Sequence, residues 1–184
     1  WTSLSEKQRR KLRSTMDQKG NWLPELSAKE NIALAPTLAG STHANSLTLA
    51  VELLTENDLG YLSHLLPSQL SFGERQMCSV LAALASDPKI LIADEPSGEL
   101  DNESADRVYT LLRSCAGKTT VILVTHDSRA EKYADRIVRV RDGRISAQWL
   151  PGEGESPISG PFGWLQVLVP EPLPVTNTPV RYST

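Results

Sequence analysis

The chain has 184 residues, of which 40% are hydrophobic and 22% charged, and it carries a formal net charge of -3. That is enough length and apolar content for one domain with a real core, while the slightly acidic balance removes the basic surface expected of a nucleic-acid binder. Two distant cysteines, Cys78 and Cys115, exclude a disulfide framework and read as reduced core thiols, and no apolar run approaches the roughly 18 residues a membrane span needs.

In chain order, the basic run Lys7-Gln8-Arg9-Arg10-Lys11-Leu12-Arg13 reads as the solvated face of a short helix. Ser27-Ala28-Lys29-Glu30 is a Ser-x-x-Glu capping box that opens a short helix carrying Ile32, Leu34 and Ala35, with Pro36 as its limit. A further helix is expected around residues 47–54, after a polar loop. Ser71 and Glu74 form a second capping box. Behind it Met77, Val80, Leu81 and Leu84 recur at helical spacing, so a helix over 71–86 is predicted, stopped by Asp87-Pro88. Residues 89–93 and 120–125 are short, apolar and rich in β-branched side chains, as expected of strands covered on both faces. A helix over 104–115, with Val108, Leu111 and Leu112 as its apolar stripe, joins them into a β-α-β unit and so a parallel pair. Ile137-Val138-Arg139-Val140-Arg141, Asp142-Gly143 and Arg144-Ile145-Ser146 read as a hairpin with a type I′ turn. From Pro151 onward the composition changes, because seven of the twelve prolines fall in the last 34 residues. The apolar patch at 162–169 inside this tail is expected to be loosely attached.

Chemistry concentrates at two places. Asp94-Glu95 closes a buried strand, where open α/β sheets present ligand-contacting groups. Hydrolysis of a phosphoanhydride needs one carboxylate to hold Mg²⁺ and another to orient or deprotonate the attacking water, and two adjacent carboxylates can divide those roles. By itself an Asp-Glu pair is a common strand end. His126 stands 32 positions beyond Asp94, one β-α-β unit away, so a parallel neighbour strand brings its imidazole to the same sheet edge. The second place is Leu70-Ser71-Phe72-Gly73-Glu74, a helix start whose free amides and dipole can meet an anion, although many helices start this way.

Together these segments resemble the ATP-binding cassette (ABC) ATPases. Leu70-Ser71-Phe72-Gly73-Glu74 resembles their signature motif, and Ile90-Leu91-Ile92-Ala93-Asp94-Glu95-Pro96 their Walker B strand. Ser97-Gly98-Glu99-Leu100-Asp101 resembles the D-loop, His126-Asp127 the switch histidine, and the stretch from Asp17-Gln18 to Asn31-Ile32 the Q-loop. The resemblance covers about residues 3–148, and its wording is most similar to the ATPases of lipoprotein-releasing systems and macrolide exporters. It implies an α/β, parallel-sheet, P-loop NTPase-like core with a helical subdomain at about 25–86, over residues 1–149, followed by a Pro/Gly-rich tail at 150–184. It implies ATP and Mg²⁺ as cofactors, Glu95 and His126 as catalytic residues, and Asp94 and Gln18 at the metal. Gln18, Ser71, Gly73, Glu74 and Asp101 are implied for nucleotide binding. The implied partners are a second ATP-binding subunit and a transmembrane permease, with no nucleic acid, and the implied location is cytoplasmic, peripheral at the inner face of the cell membrane. Export or release of a lipoprotein, peptide or drug is the function this resemblance implies.

The chain also departs from the family pattern. It holds no Gly-x-x-x-x-Gly-Lys-Ser/Thr phosphate loop: Gly117-Lys118-Thr119 precedes a strand, and Leu112 stands where the first glycine belongs. Phe72 replaces the first signature glycine and is expected to crowd a phosphate. Met77 and Ala82 stand where arginines are usual, and Ser14-Thr15-Met16-Asp17 replaces the apolar strand before Gln18. A chain without the loop's amides and lysine is expected to bind and hydrolyse ATP negligibly on its own. It is also expected to leave an apolar strand with an uncovered edge and face. Because the loop with its strand and helix is missing, and the first residue is Trp1 instead of Met, a fragment or a mis-assigned gene start is the leading expectation. The alternatives are a catalytically inactive cassette lending its Ser71 helix in trans, and a DNA-repair type ATPase head, which predicts coiled-coil heptads and a basic surface that the sequence lacks.

Overall fold

The β-branched runs form strands of one six-stranded sheet, and helices that start at side-chain caps cover one face of them. The computed structural model describes residues 13–16, 22–116, 118–141, 144–150 and 164–168. Gln18, the basic run up to Leu12, Gly117 and the Asp142-Gly143 turn lie outside them. The strands are β1 (Arg13–Met16), β2 (Ile90–Asp94), β3 (Thr120–Thr125), β4 (Arg136–Arg141), β5 (Arg144–Trp149) and β6 (Trp164–Leu168), in spatial order β1-β2-β3-β6-β4-β5. The helices are α1 (Ala28–Leu38), α2 (His43–Glu56), α3 (Phe72–Leu84) and α4 (Asn102–Cys115).

β1, β2 and β3 are parallel, with Ile92 opposite Thr15 on one side and Ile122 on the other. The β2-α4-β3 crossover supplies that direction, as the β-α-β pattern requires. β4 and β5 form the expected antiparallel hairpin, with β5 running on to Trp149. β6 pairs antiparallel with both β3 and β4. The apolar run in the tail is therefore a strand inside the sheet rather than a loosely attached segment. The free backbone edge of β3 needs a partner, and Thr125 to Val121 take Trp164 to Leu168 in register.

Burial along β2 and β3 alternates. Leu91, Ala93, Val121, Leu123 and Thr125 are buried while Ile92, Ile122 and Val124 are only half-buried. One face is packed and the other partly open, where the apolar runs alone predict cover on both. The packed face meets α3 and α4, whose Val80, Leu81, Val108, Leu111 and Leu112 join Leu91 and Val121 in one core.

Several element limits differ from the pattern-based expectation. Pro36 does not end α1 but sits in its last turn, where it removes only the single i→i−4 bond that an amide at this position would make. The turn is closed by the amides of Ala39, Gly40 and Ser41, which donate to the carbonyls of Ala35, Thr37 and Pro36. α2 begins four residues before Leu47, because Thr42 caps it by accepting from the Asn45 amide at 3.3 Å. Arg13, assigned to a basic helix face from its charge, starts β1, and the polar Ser14-Thr15 pair with β2 because an edge strand is held by its backbone. Both cysteines are free, and burial pushes the Cys78 thiol up to about 12.

Candidate functional site

Glu95 follows the last residue of β2 with a left-handed backbone (φ 45°), and its amide donates to the Val124 carbonyl at 2.8 Å. That conformation is costly for a side-chain-bearing residue, and here the parallel neighbour strand holds it in place. It turns the carboxylate across the sheet end toward β3. Oε1 accepts from the His126 amide at 3.2 Å and meets His126 Nδ1 at 2.7 Å, and Oε2 accepts from the Thr125 hydroxyl at 3.2 Å. A carboxylate only accepts, so Nδ1 carries the proton and Nε2 points away from Glu95. The His126 side chain is 70% exposed and that of Glu95 27%. Asp94 is exposed, and among the described residues its carboxylate has no hydrogen-bond or ion-pair partner.

A second cluster lies at the start of α3. Ser71 is the N-cap: its hydroxyl accepts from the Glu74 amide at 3.2 Å, while Glu74 Oε2 accepts from the Ser71 amide and hydroxyl, each at 2.8 Å. The Tyr61 hydroxyl donates to Glu74 Oε1 at 2.8 Å. Hydrogen bonds from the Ser71 backbone, then its side chain, then Tyr61, hold the Glu74 carboxyl below the ordinary carboxylate range. Gly73 packs against α4, where an added Cβ would stand 3.1 Å from Ser104 Oγ. The glycine therefore has a packing reason besides any approach to phosphate. Asp101 is the α4 cap, accepting from the Ser104 amide at 3.0 Å and hydroxyl at 2.7 Å. The backbone bond first, then the side-chain one, lowers its pKa. A cavity of about 140 Å³ is bounded by Tyr61, Ser71, Gly73, Glu74, Ser104 and Arg107 among others. The Phe72 ring lies 5.8 Å below the Arg75 guanidinium.

The residues marked out in the sequence thus form two groups, Asp94-Glu95-His126 at the sheet end and Ser71-Gly73-Glu74 with Asp101 where α3 meets α4. Among the described residues no hydrogen bond or ion pair joins Ser71 or Glu74 to Glu95 or His126. Gln18 lies outside the described residues. Sequence reasoning missed a third group. Ser97 Oγ lies 2.5 Å from the Tyr109 hydroxyl, which donates to Asp127 Oδ2 at 2.9 Å. The apolar stripe Val108, Leu111 and Leu112 read from the sequence leaves Tyr109 out. The available signal was its hydroxyl, since a fully buried tyrosine must find a polar partner.

The chain is similar to known ATP-binding proteins. The ABC transporter family model matches residues 1–98. The lipoprotein-releasing system ATP-binding protein LolD of Shewanella denitrificans is 43% identical over 126 residues, 67% of this chain and 54% of that protein. The LolD 2 protein of Caulobacter vibrioides is 35% identical over 153 residues, 80% of this chain and 67% of that protein. The macrolide export ATP-binding/permease protein MacB of Azoarcus is 38% identical over 141 residues, 76% of this chain and 22% of that protein. The chain therefore spans about half the length of the Shewanella relative. Among solved structures, the dimeric post-hydrolysis state of the ATP-binding cassette MJ0796 bound to ADP and Pi superposes with a TM-score of 0.69 at 29% identity. It covers 80% of this chain and 68% of that one. With the family model matching more than half of its residues and the parallel sheet of an ATPase cassette beneath them, the chain belongs to the ABC transporter family.

Proposed function

We propose that this chain carries the hydrolytic sheet edge of the ATP-binding subunit in a system that exports or releases a lipoprotein, peptide or drug. In this reading it works at the inner face of the cell membrane, paired with a second ATP-binding subunit and a permease. The observation that carries it is the 2.7 Å contact between Glu95 and His126 at the ends of adjacent parallel strands. Three donors occupy three of the roughly four lone-pair sites of Glu95, which leaves one on Oε2 for a water. In this reading Glu95 orients and deprotonates that water, and His126 fixes the carboxylate through Nδ1–H while Nε2 faces the phosphate.

Asp94 fits magnesium. It is an exposed carboxylate without a competing partner among the described residues, and Mg²⁺ keeps several waters and takes one or two carboxylates beside substrate phosphates. No group of three or more metal-binding side chains occurs among the described residues, so a dedicated protein cage is not what they offer. When bound, Mg²⁺ neutralises phosphate charge. Gln18 is proposed as its second contact, and Ser71, Gly73, Glu74 and Asp101 as the surface that meets nucleotide. Among the described residues no helix is long and apolar enough to cross a membrane, consistent with a permease supplied by another chain or segment. The reading as an inactive remnant is not favoured, since the relatives above are ATP-binding proteins.

The test is Mg²⁺-dependent ATP turnover by the protein expressed from its complete reading frame, with and without Glu95→Gln. Loss of a general base predicts a fall of about a hundredfold or more with nucleotide binding retained. Unchanged turnover would remove Glu95 from the reaction. The 184 residues alone are expected to turn over negligibly, because they hold no phosphate loop.

A further inference from the structure

We infer that Tyr109 is a positioning residue, whose buried hydroxyl locks the Ser97–Asp101 turn to the segment carrying His126 and thereby fixes the direction of Glu95. The inference rests on reading Glu95 and His126 as the reacting pair, but its test does not need nucleotide.

Three elements meet at this hydroxyl. Tyr109 comes from the middle of α4, Ser97 from the turn after β2, and Asp127 from the loop after β3, and Tyr109 is fully buried with Ser97 4% exposed. Proton counting sets the direction of the chain of bonds. The Asp127 carboxylate can only accept, so the Tyr109 proton goes to Oδ2 at 2.9 Å, and Tyr109 Oη is left to accept from Ser97 at 2.5 Å. The alternative acceptor for Ser97 is Asp127 Oδ2 at 3.3 Å, a longer bond to the same carboxylate. Burial, with Asp127 beside it, raises the Tyr109 pKa, so the phenol stays a donor at ordinary pH.

The chain continues to the reaction pair. The Asp127 amide donates to Thr125 Oγ1 at 3.1 Å, and Thr125 Oγ1 donates to Glu95 Oε2 at 3.2 Å. On its other side Asp127 is held by Arg129, whose Nε lies 2.9 Å from Oδ1 and whose Nη1 donates to Asn102 Oδ1 at the start of α4. Ser97 in turn anchors its own loop, where the Leu100 amide donates to the Ser97 carbonyl at 3.0 Å and the Gly98 amide to the Glu95 carbonyl at 3.2 Å. One hydroxyl therefore ties Ser97, inside the Glu95–Leu100 turn, to Asp127 in the loop that follows His126. A tyrosine serving only the core would need the ring alone, which packs 5.5 Å from Tyr133.

The experiment uses Tyr109→Phe, which keeps the ring and deletes the hydroxyl, together with Ser97→Ala and the double variant. Amide hydrogen exchange at Gly98 and Leu100 is read against the core amides of Val121 and Leu123. The ring-nitrogen NMR signals of His126 are read against those of His43 and His64. The expected result is a loss of protection of about tenfold at Gly98 and Leu100, with the core amides unchanged. His126 alone should shift among the three histidines, and the double variant should lose less than the sum of the two single changes, because the Ser97–Tyr109 bond is common to both. The inference is overturned if Gly98, Leu100 and His126 keep their wild-type behaviour. It is equally overturned if the turn loses protection only in parallel with the core, which would mark the hydroxyl as a contributor to general stability. Failure of Glu95→Gln to affect ATP turnover would strike the proposed reaction and leave this measurement standing.

Discussion

The two halves of the sheet are built on different terms. β1, β2 and β3 run parallel, and β2 and β3 are tied by a local β-α-β crossover, whereas β6, β4 and β5 are antiparallel and join the first half through a strand drawn from about forty residues beyond β3. The first half carries Asp94, Glu95 and His126 at its strand ends. None of the residues marked out for chemistry lies on β4, β5 or β6. The difference separates two physical demands: the chemistry rests on a short, locally encoded parallel pair, while the other half satisfies the backbone edge of β3.

The largest test of this contrast is Leu91→Ala in the centre of the parallel half. Leu91 is fully buried, so urea unfolding should show a loss of about 2–5 kcal/mol. A loss below 1 kcal/mol would mean that the parallel pair is not the structural centre. Val167→Pro probes the other half, since a strand with partners on both sides uses every amide and proline removes one. The expected cost is about 1–3 kcal/mol in the same assay, and no cost would show that β6 does not join the halves.

Asp127→Asn comes next, at the end of β3. Burial raises this carboxyl, but bonds from the Arg129 side chain, the Arg129 amide and Tyr109 outweigh burial and leave it below its ordinary range. A lowered folded pKa gives stability that is complete above the unfolded value, about 3.9, and is lost as pH falls through the folded one. The variant should therefore be less stable than wild type at pH 7 by about 1–2 kcal/mol, with the gap closing in acid. A gap that widened in acid would reverse the assigned charge state. The smallest effects should fall outside the sheet. Ser71→Ala removes the α3 cap for about 1 kcal/mol in thermal unfolding, and Gly73→Ala should cost no more than that, because Ser104 must yield by a few tenths of an ångström.

The local signals in the chain were sufficient for the parallel half. The apolar β-branched run at Thr120–Thr125 coincides with β3, and Ser71 with Glu74 marks the start of α3, because strand propensity and capping depend on neighbours a few residues away. The same local logic put His126 and Glu95 at one sheet edge, since consecutive strands of a β-α-β unit run the same way. Tertiary structure alone decided the rest. The left-handed turn at Glu95, which aims its carboxylate at His126, depends on the carbonyl of Val124 on the adjacent strand. Tyr109 looks like any core residue of an amphipathic helix until folding brings Ser97 and Asp127 to its hydroxyl. An apolar run such as Trp164–Leu168 says that a strand can form, but its partners are chosen by whichever backbone edge remains open, and that edge exists only after the other strands have paired.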